Sequence, residues 1–108
     1  MNIETTGGTP ENPELALSGR FDAFETERFR LVVDELLASD ATSISLDLAE
    51  VHFIDSSGLA ELVRAMKHCR ESDGDLFLLR PSDPVAVILE LTRLDAAFEI
   101  RQGAAQSS

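Results

Sequence analysis

Neither tryptophan nor tyrosine occurs in the 108 residues. Six phenylalanines are the whole aromatic content, so the core must be mainly aliphatic. A single cysteine, Cys69, rules out an internal disulfide and suits a reducing compartment. Basic residues are scarce: nine Lys and Arg stand against 20 Asp and Glu, a net charge of −11. Nucleic-acid binding draws most of its affinity from Lys and Arg on phosphates, so neither nucleic acid nor an anionic membrane is an expected partner. The excess acid suits solubility, or steering toward a basic partner. No apolar run approaches the roughly 20 residues that span a bilayer. Met1-Asn2-Ile3-Glu4 has neither the basic nor the apolar part of a signal peptide, which leads to an expected cytoplasmic location. Gly-x-x-x-x-Gly-Lys-Ser/Thr is absent, and Gly7-Gly8 precede Pro10 instead of opening a helix, so no phosphate loop is expected.

What is present centres on Ser43 to Met66. Ile44, Leu46 and Leu48 alternate with Ser45 and Asp47, the pattern of a half-buried strand. Leu59, Leu62, Val63 and Met66 recur at helical spacing. Between them, after Val51-His52-Phe53-Ile54, lies Asp55-Ser56-Ser57-Gly58, small and capping residues suited to a tight strand-to-helix turn. Such a turn leaves backbone N–H groups unpaired at the helix start and favours added negative charge there. The turn is the leading candidate functional site. From position alone, Ser56 or Ser57 could equally be a helix cap, and Asp55 an Asx-type turn residue.

The remaining chain divides at clear breakers. Residues 2 to 6 suit a short first strand, which the run from Gly7 to Pro13 breaks, and Glu14 to Ser18 a second, ended by Gly19. A first helix is expected from an N-cap near Asp22 to about Ser39, with Phe29, Val32, Val33, Leu36 and Leu37 on its apolar face. Asp73-Gly74-Asp75 ends the second helix. Leu76 to Leu79 is unbroken apolar sequence and predicts a strand inside the sheet, buried on both faces. Ser82-Asp83-Pro84 opens a third helix striped by Val85, Ile88 and Leu89. Ala97 to Ile100 suits an edge strand. The expectation is one α/β domain over residues 1–102, a mixed central sheet of four to five strands with three to four helices, and a frayed tail over 103–108.

Catalysis fits poorly. A serine nucleophile needs a base within hydrogen-bond reach, and the only histidines are His52, in the strand before the turn, and His68, well along the helix. Cys69 beside His68 projects elsewhere and has no second pair, so no metal site is expected. Cys69 itself falls on the apolar side of its helix as a buried thiol. No cofactor is expected, and the chain does not read as an enzyme.

Asp55-Ser56-Ser57-Gly58-Leu59, with Leu46-Asp47-Leu48 and Val51-His52-Phe53-Ile54 before it, resembles the STAS domain, specifically the bacterial anti-sigma factor antagonists, or anti-anti-sigma factors. Gly19-Arg20-Phe21-Asp22 is similar to the family's turn before its first helix, and Leu89-Glu90-Leu91-Thr92-Arg93-Leu94 to its late helix. The likeness covers residues 13 to 100 and independently implies the α/β fold. It further implies a phosphorylation-controlled partner switch in transcription regulation. Dephosphorylated, such a domain binds an anti-sigma factor that is also an ATP-dependent serine kinase, freeing the sigma factor; phosphorylation separates them, and a serine phosphatase resets the cycle. The implied acceptor is Ser57, directly before the glycine, with Ser56 next. The implied partner-binding residues are Asp22, Asp55, Ser56, Ser57, Gly58, Leu59 and Glu61, on a monomer. The alternatives are a STAS scaffold or transport-complex subunit without the switch, and a small nucleotide- or lipid-binding module.

Overall fold

The computed structural model describes residues 1–102, so the expected tail over 103–108 lies outside the described residues. Five strands form one sheet in the order β1-β2-β3-β4-β5: β1 (Asn2–Gly8), β2 (Pro13–Phe21), β3 (Ile44–Ile54), β4 (Leu76–Leu79) and β5 (Glu99–Arg101). The helices are α1 (Thr26–Ala38), α2 (Ser56–Glu71) and α3 (Asp83–Leu91), followed by a short 3-10 turn at Leu94–Ala96. β1 and β2 form an antiparallel hairpin, and every later pairing is parallel with a helix in the crossover. Strand order advances one way from β2 to β5, so right-handed crossovers place all three helices on the same face.

Register explains the core. Leu15, Leu46, Leu78 and Ile100 stand in one row across four strands on the helix-covered face. Ile44, Leu48, Leu17 and Leu76 share that face and are buried. The opposite face carries the rows Glu14, Ser45, Phe77, Glu99 and Ala16, Asp47, Leu79, Arg101. It is dressed by polar groups: Arg80 pairs with Asp47, and the Arg101 guanidinium lies 4.3 Å from the centre of the Phe77 ring.

The structure departs from the sequence reading at several points: β1 runs on through Gly7 to Gly8, and β5 spans Glu99–Arg101 where the sequence suits Ala97 to Ile100. β2 runs through Gly19, which adopts φ +100° at a register shift and lets the strand continue to Phe21. α1 starts at Thr26, not near Asp22, because Asp22 spends its side chain on a local turn: its Oδ1 accepts from Phe24 N at 3.1 Å. β4 does lie inside the sheet, but only Leu76 and Leu78 are buried; Phe77 and Leu79 face the side without helices. α3 ends at Leu91, short of Leu94, because Arg93 takes a left-handed conformation at φ 63°.

Candidate functional site

β2 and β3 end side by side, with Phe21 opposite Ile54, so the turns that follow them share the C-terminal edge of the parallel sheet. The turn after β3 is tied back across that edge by Asp55 N, which donates to Phe21 O at 3.3 Å. Asp55 is the N-cap of α2: its extended backbone ends the strand, and its Oδ1 accepts from Gly58 N at 3.0 Å. Leu59 N then donates to Asp55 O at 3.0 Å, the first bond of the helix ladder. The cap is thus the aspartate and neither serine, which leaves both hydroxyls uncommitted among the described residues.

Gly58 has a separate reason to be glycine. A Cβ there would meet Phe21 O at 2.6 Å, Ile54 Cγ1 at 2.8 Å and Phe21 Cγ at 3.2 Å. The first turn of α2 therefore packs directly on the end of β2, holding Ser56 and Ser57 at a fixed place on the sheet edge. Ser56 is exposed, while Ser57 is half-buried. The difference follows from the helix: Ser56 shares a face with exposed Ala60 and Lys67, which line a shallow groove together with partly buried Val63. Ser57 leads into Glu61 and Arg64, the side of α2 turned toward α1.

This fold and turn agree with the STAS domain model, which matches residues 1–106. The chain belongs to the STAS domain family. An anti-sigma-B factor antagonist of Listeria monocytogenes is 26% identical over 101 residues, 94% of this chain and 89% of that protein. A crystal structure of a candidate anti-sigma factor antagonist from Thermotoga maritima superposes with a TM-score of 0.83 at 25% identity, covering 98% of this chain and 89% of that one. The anti-sigma factor antagonist SpoIIAA in its unphosphorylated form gives a TM-score of 0.83 at 20% identity, covering 98% and 92%.

In this STAS domain the residues singled out from sequence divide into two groups. Asp22, Asp55, Ser56, Ser57, Gly58 and Leu59 are brought to the one sheet edge, Leu59 with its side chain packed partly against the core. Glu61 is not on the surface with them. It is 5% exposed, and its carboxylate accepts from Arg30 on α1, with Arg30 Nε at 3.3 Å from Oε1. Arg30 responds with a pKa raised by that hydrogen bond and by the Glu61 charge. A second clamp lies about one turn on, where Arg64 Nη2 reaches both oxygens of Asp34 at 2.8 and 2.9 Å and His68 Nδ1 lies 3.3 Å from the same carboxylate. Spacing alone could not reveal that α1 faces this side of α2.

Neither histidine stands by as a base for the serines. His52 is exposed and 3.7 Å from Glu50, while His68 is twelve residues beyond Ser56, about 18 Å along the helix. Cys69 is fully buried as expected, and burial pushes its thiol up to about 11. Among the described residues no cluster of His, Cys, Asp and Glu could hold a metal ion, and no helix is long and apolar enough to cross a membrane. One site-edge residue went unnoticed in the sequence: Phe24, 93% exposed in the turn after β2. A helix expected to start near Asp22 would have contained Phe24; the structure instead places it just before the N-cap Glu25 and turned outward.

Proposed function

We propose that this STAS domain is a non-enzymatic anti-sigma factor antagonist of the cytoplasm, switched by phosphorylation of the Asp55–Gly58 turn. The observation that carries the reading is an exposed serine at the first position of a helix already capped by Asp55, on the sheet edge of a STAS domain. The relatives' role as anti-sigma-B factor antagonists supports the partner: an anti-sigma factor bound by the dephosphorylated form. That partner is also the ATP-dependent serine kinase, and a serine phosphatase restores the binding form. Resemblance alone favoured Ser57 as acceptor. Exposure favours Ser56, which is open to solvent where Ser57 is half-buried, and Ser57 is the second candidate.

The physics of the turn separates folding from binding. A phosphoserine carries about −1.5 to −2 charges at neutral pH. At the start of α2 it meets the positive end of the helix and the N–H groups of the first turn, so the fold tolerates it. Against a partner carboxylate roughly 6 Å away, at an effective dielectric of about 40, a dianion costs on the order of 3 kcal/mol. That is about a hundredfold in affinity. The test is affinity capture from the native cytoplasm with ADP and then ATP, with partners identified by mass spectrometry. An anti-sigma factor retained with ADP and released with ATP is the expected result. Capture of no such protein, or retention indifferent to ATP, would remove the switch.

A further inference from the structure

Phe24 is the most exposed large apolar side chain among the described residues, at 93%, and it sits where a buried one would be expected. It directly precedes the α1 N-cap Glu25, and Phe29 occupies the fourth helical position. In sequence that pair has the form of a hydrophobic staple, in which the two side chains pack together and fix the entry of the chain. Phe29 instead packs inward on Phe21, ring centres 4.9 Å apart and 0% exposed, and leaves Phe24 in solvent. Its exposure is not the result of a loose loop. Phe24 N donates to Asp22 Oδ1 at 3.1 Å, Glu25 N to Asp22 O at 3.0 Å, and Thr26 Oγ1 to Ala23 O at 3.1 Å. The amino terminus adds a contact to Glu25 at 3.5 Å.

The backbone that carries the ring is already ordered, so docking the exposed aromatic side chain into a partner's pocket gains burial without the cost of ordering the loop. The same turn is bonded to the serine turn, since Phe21 O accepts from Asp55 N, so Phe24 and Ser56 stand on neighbouring loops of one sheet edge. Around Phe24 the sequence carries the acids Asp22, Glu25 and Glu27 against Arg20 and Arg28, which pair with Asp22 at 3.7 Å and Glu25 at 3.4 Å, leaving an acidic excess in a chain of net charge −11. We propose that Phe24 is the apolar anchor of the partner interface, inserting into an apolar pocket with a basic rim on the same anti-sigma factor that reads Ser56. This rests on the function proposed above, and adds an affinity determinant that phosphorylation does not touch.

The test uses the purified anti-sigma factor recovered by the ADP-dependent capture. Phe24→Ala, Leu91→Ala and wild type are titrated against it by calorimetry, and each is mixed with it and ATP at saturating concentration. Leu91, 75% exposed on α3, controls for loss of surface apolarity as such. Phe24→Ala should melt within roughly 4 °C of wild type, because no packing is lost. It should bind at least tenfold more weakly, yet still accept phosphate once saturated. Leu91→Ala should bind within twofold of wild type. Phe24→Ala binding within twofold of wild type would overturn the assignment and leave the switch intact. A self-associating wild type that Phe24→Ala turns monomeric would also overturn it, placing the ring at a contact between copies. Wild type that binds no ATP-responsive anti-sigma factor would overturn the functional reading and this anchor together.

Discussion

Replacing Gly58 by alanine should destabilise the domain, although alanine is the better helix former. In an exposed helix the exchange gains up to about 1 kcal/mol, and less in the first turn. Here the new methyl group would lie 2.6 Å from Phe21 O and 2.8 Å from Ile54 Cγ1. The isoleucine branch can rotate, but the carbonyl cannot retreat freely, because it accepts the Asp55 N–H that ties β2 to the turn. Overpacking of this kind costs about 1–3 kcal/mol, so the net loss should be about 1–2 kcal/mol. For a domain of this size that lowers the melting temperature by roughly 4–16 °C. The relief available to the chain is to lift the first turn of α2, which also moves Ser56 and should weaken partner binding without any change of charge. Thermal unfolding followed by circular dichroism, with Ser56→Ala as a near-neutral exposed control, measures the effect. A Gly58→Ala protein as stable as wild type, or more so, would refute the argument that close approach to β2 requires glycine.

Asp55→Ala should lose about 1 kcal/mol in denaturant unfolding through loss of the α2 cap, with Asp55→Asn recovering most of it. Arg30→Ala should lower stability by leaving Glu61 buried without its partner, and adding Glu61→Gln to that variant should restore part of the loss in the same assay. The Cys69 thiol should resist alkylation in the native state at pH 8 and react once the protein is unfolded, as followed by mass spectrometry. Because its folded-state pKa is raised to about 11, its contribution to stability is whole below pH 9. Above pH 9 it falls by roughly 1.4 kcal/mol per pH unit until about pH 11, which chemical unfolding across that range would detect. Association with the anti-sigma factor should slow as salt rises from low to physiological concentration; a flat rate would leave solubility as the role of the acidic surface.

The periodic parts of the fold were legible in the sequence because each obeys a short-range rule. The alternation of Ile44, Leu46 and Leu48 and the helical stripe through Leu62 and Met66 lie where pattern places them, and all five are buried. Tertiary contacts decided what the pattern could not. Leu76 to Leu79 reads as doubly buried, but one-way strand order covers only one face of the sheet. Asp22 reads as a helix cap, yet its carboxylate closes the preceding turn and hands the helix start to Glu25. At the site, Asp55 to Gly58 could be located from local chemistry. Which serine faces solvent, and that Glu61 is claimed by Arg30, depends on α1 lying along one side of α2.

The most direct test of the account is to incubate the protein with the proposed anti-sigma factor kinase and ATP, map the phosphate by mass spectrometry, and measure the affinity of the phosphorylated and unmodified forms for that partner. Phosphate on Ser56, unchanged far-ultraviolet circular dichroism and an affinity loss near a hundredfold are expected, with Ser56→Ala binding but accepting none. Phosphate on Ser57 alone would keep the switch and contradict the exposure argument. Phosphate on neither serine, or a phosphorylated form that binds as tightly as the unmodified one, would contradict the switch itself.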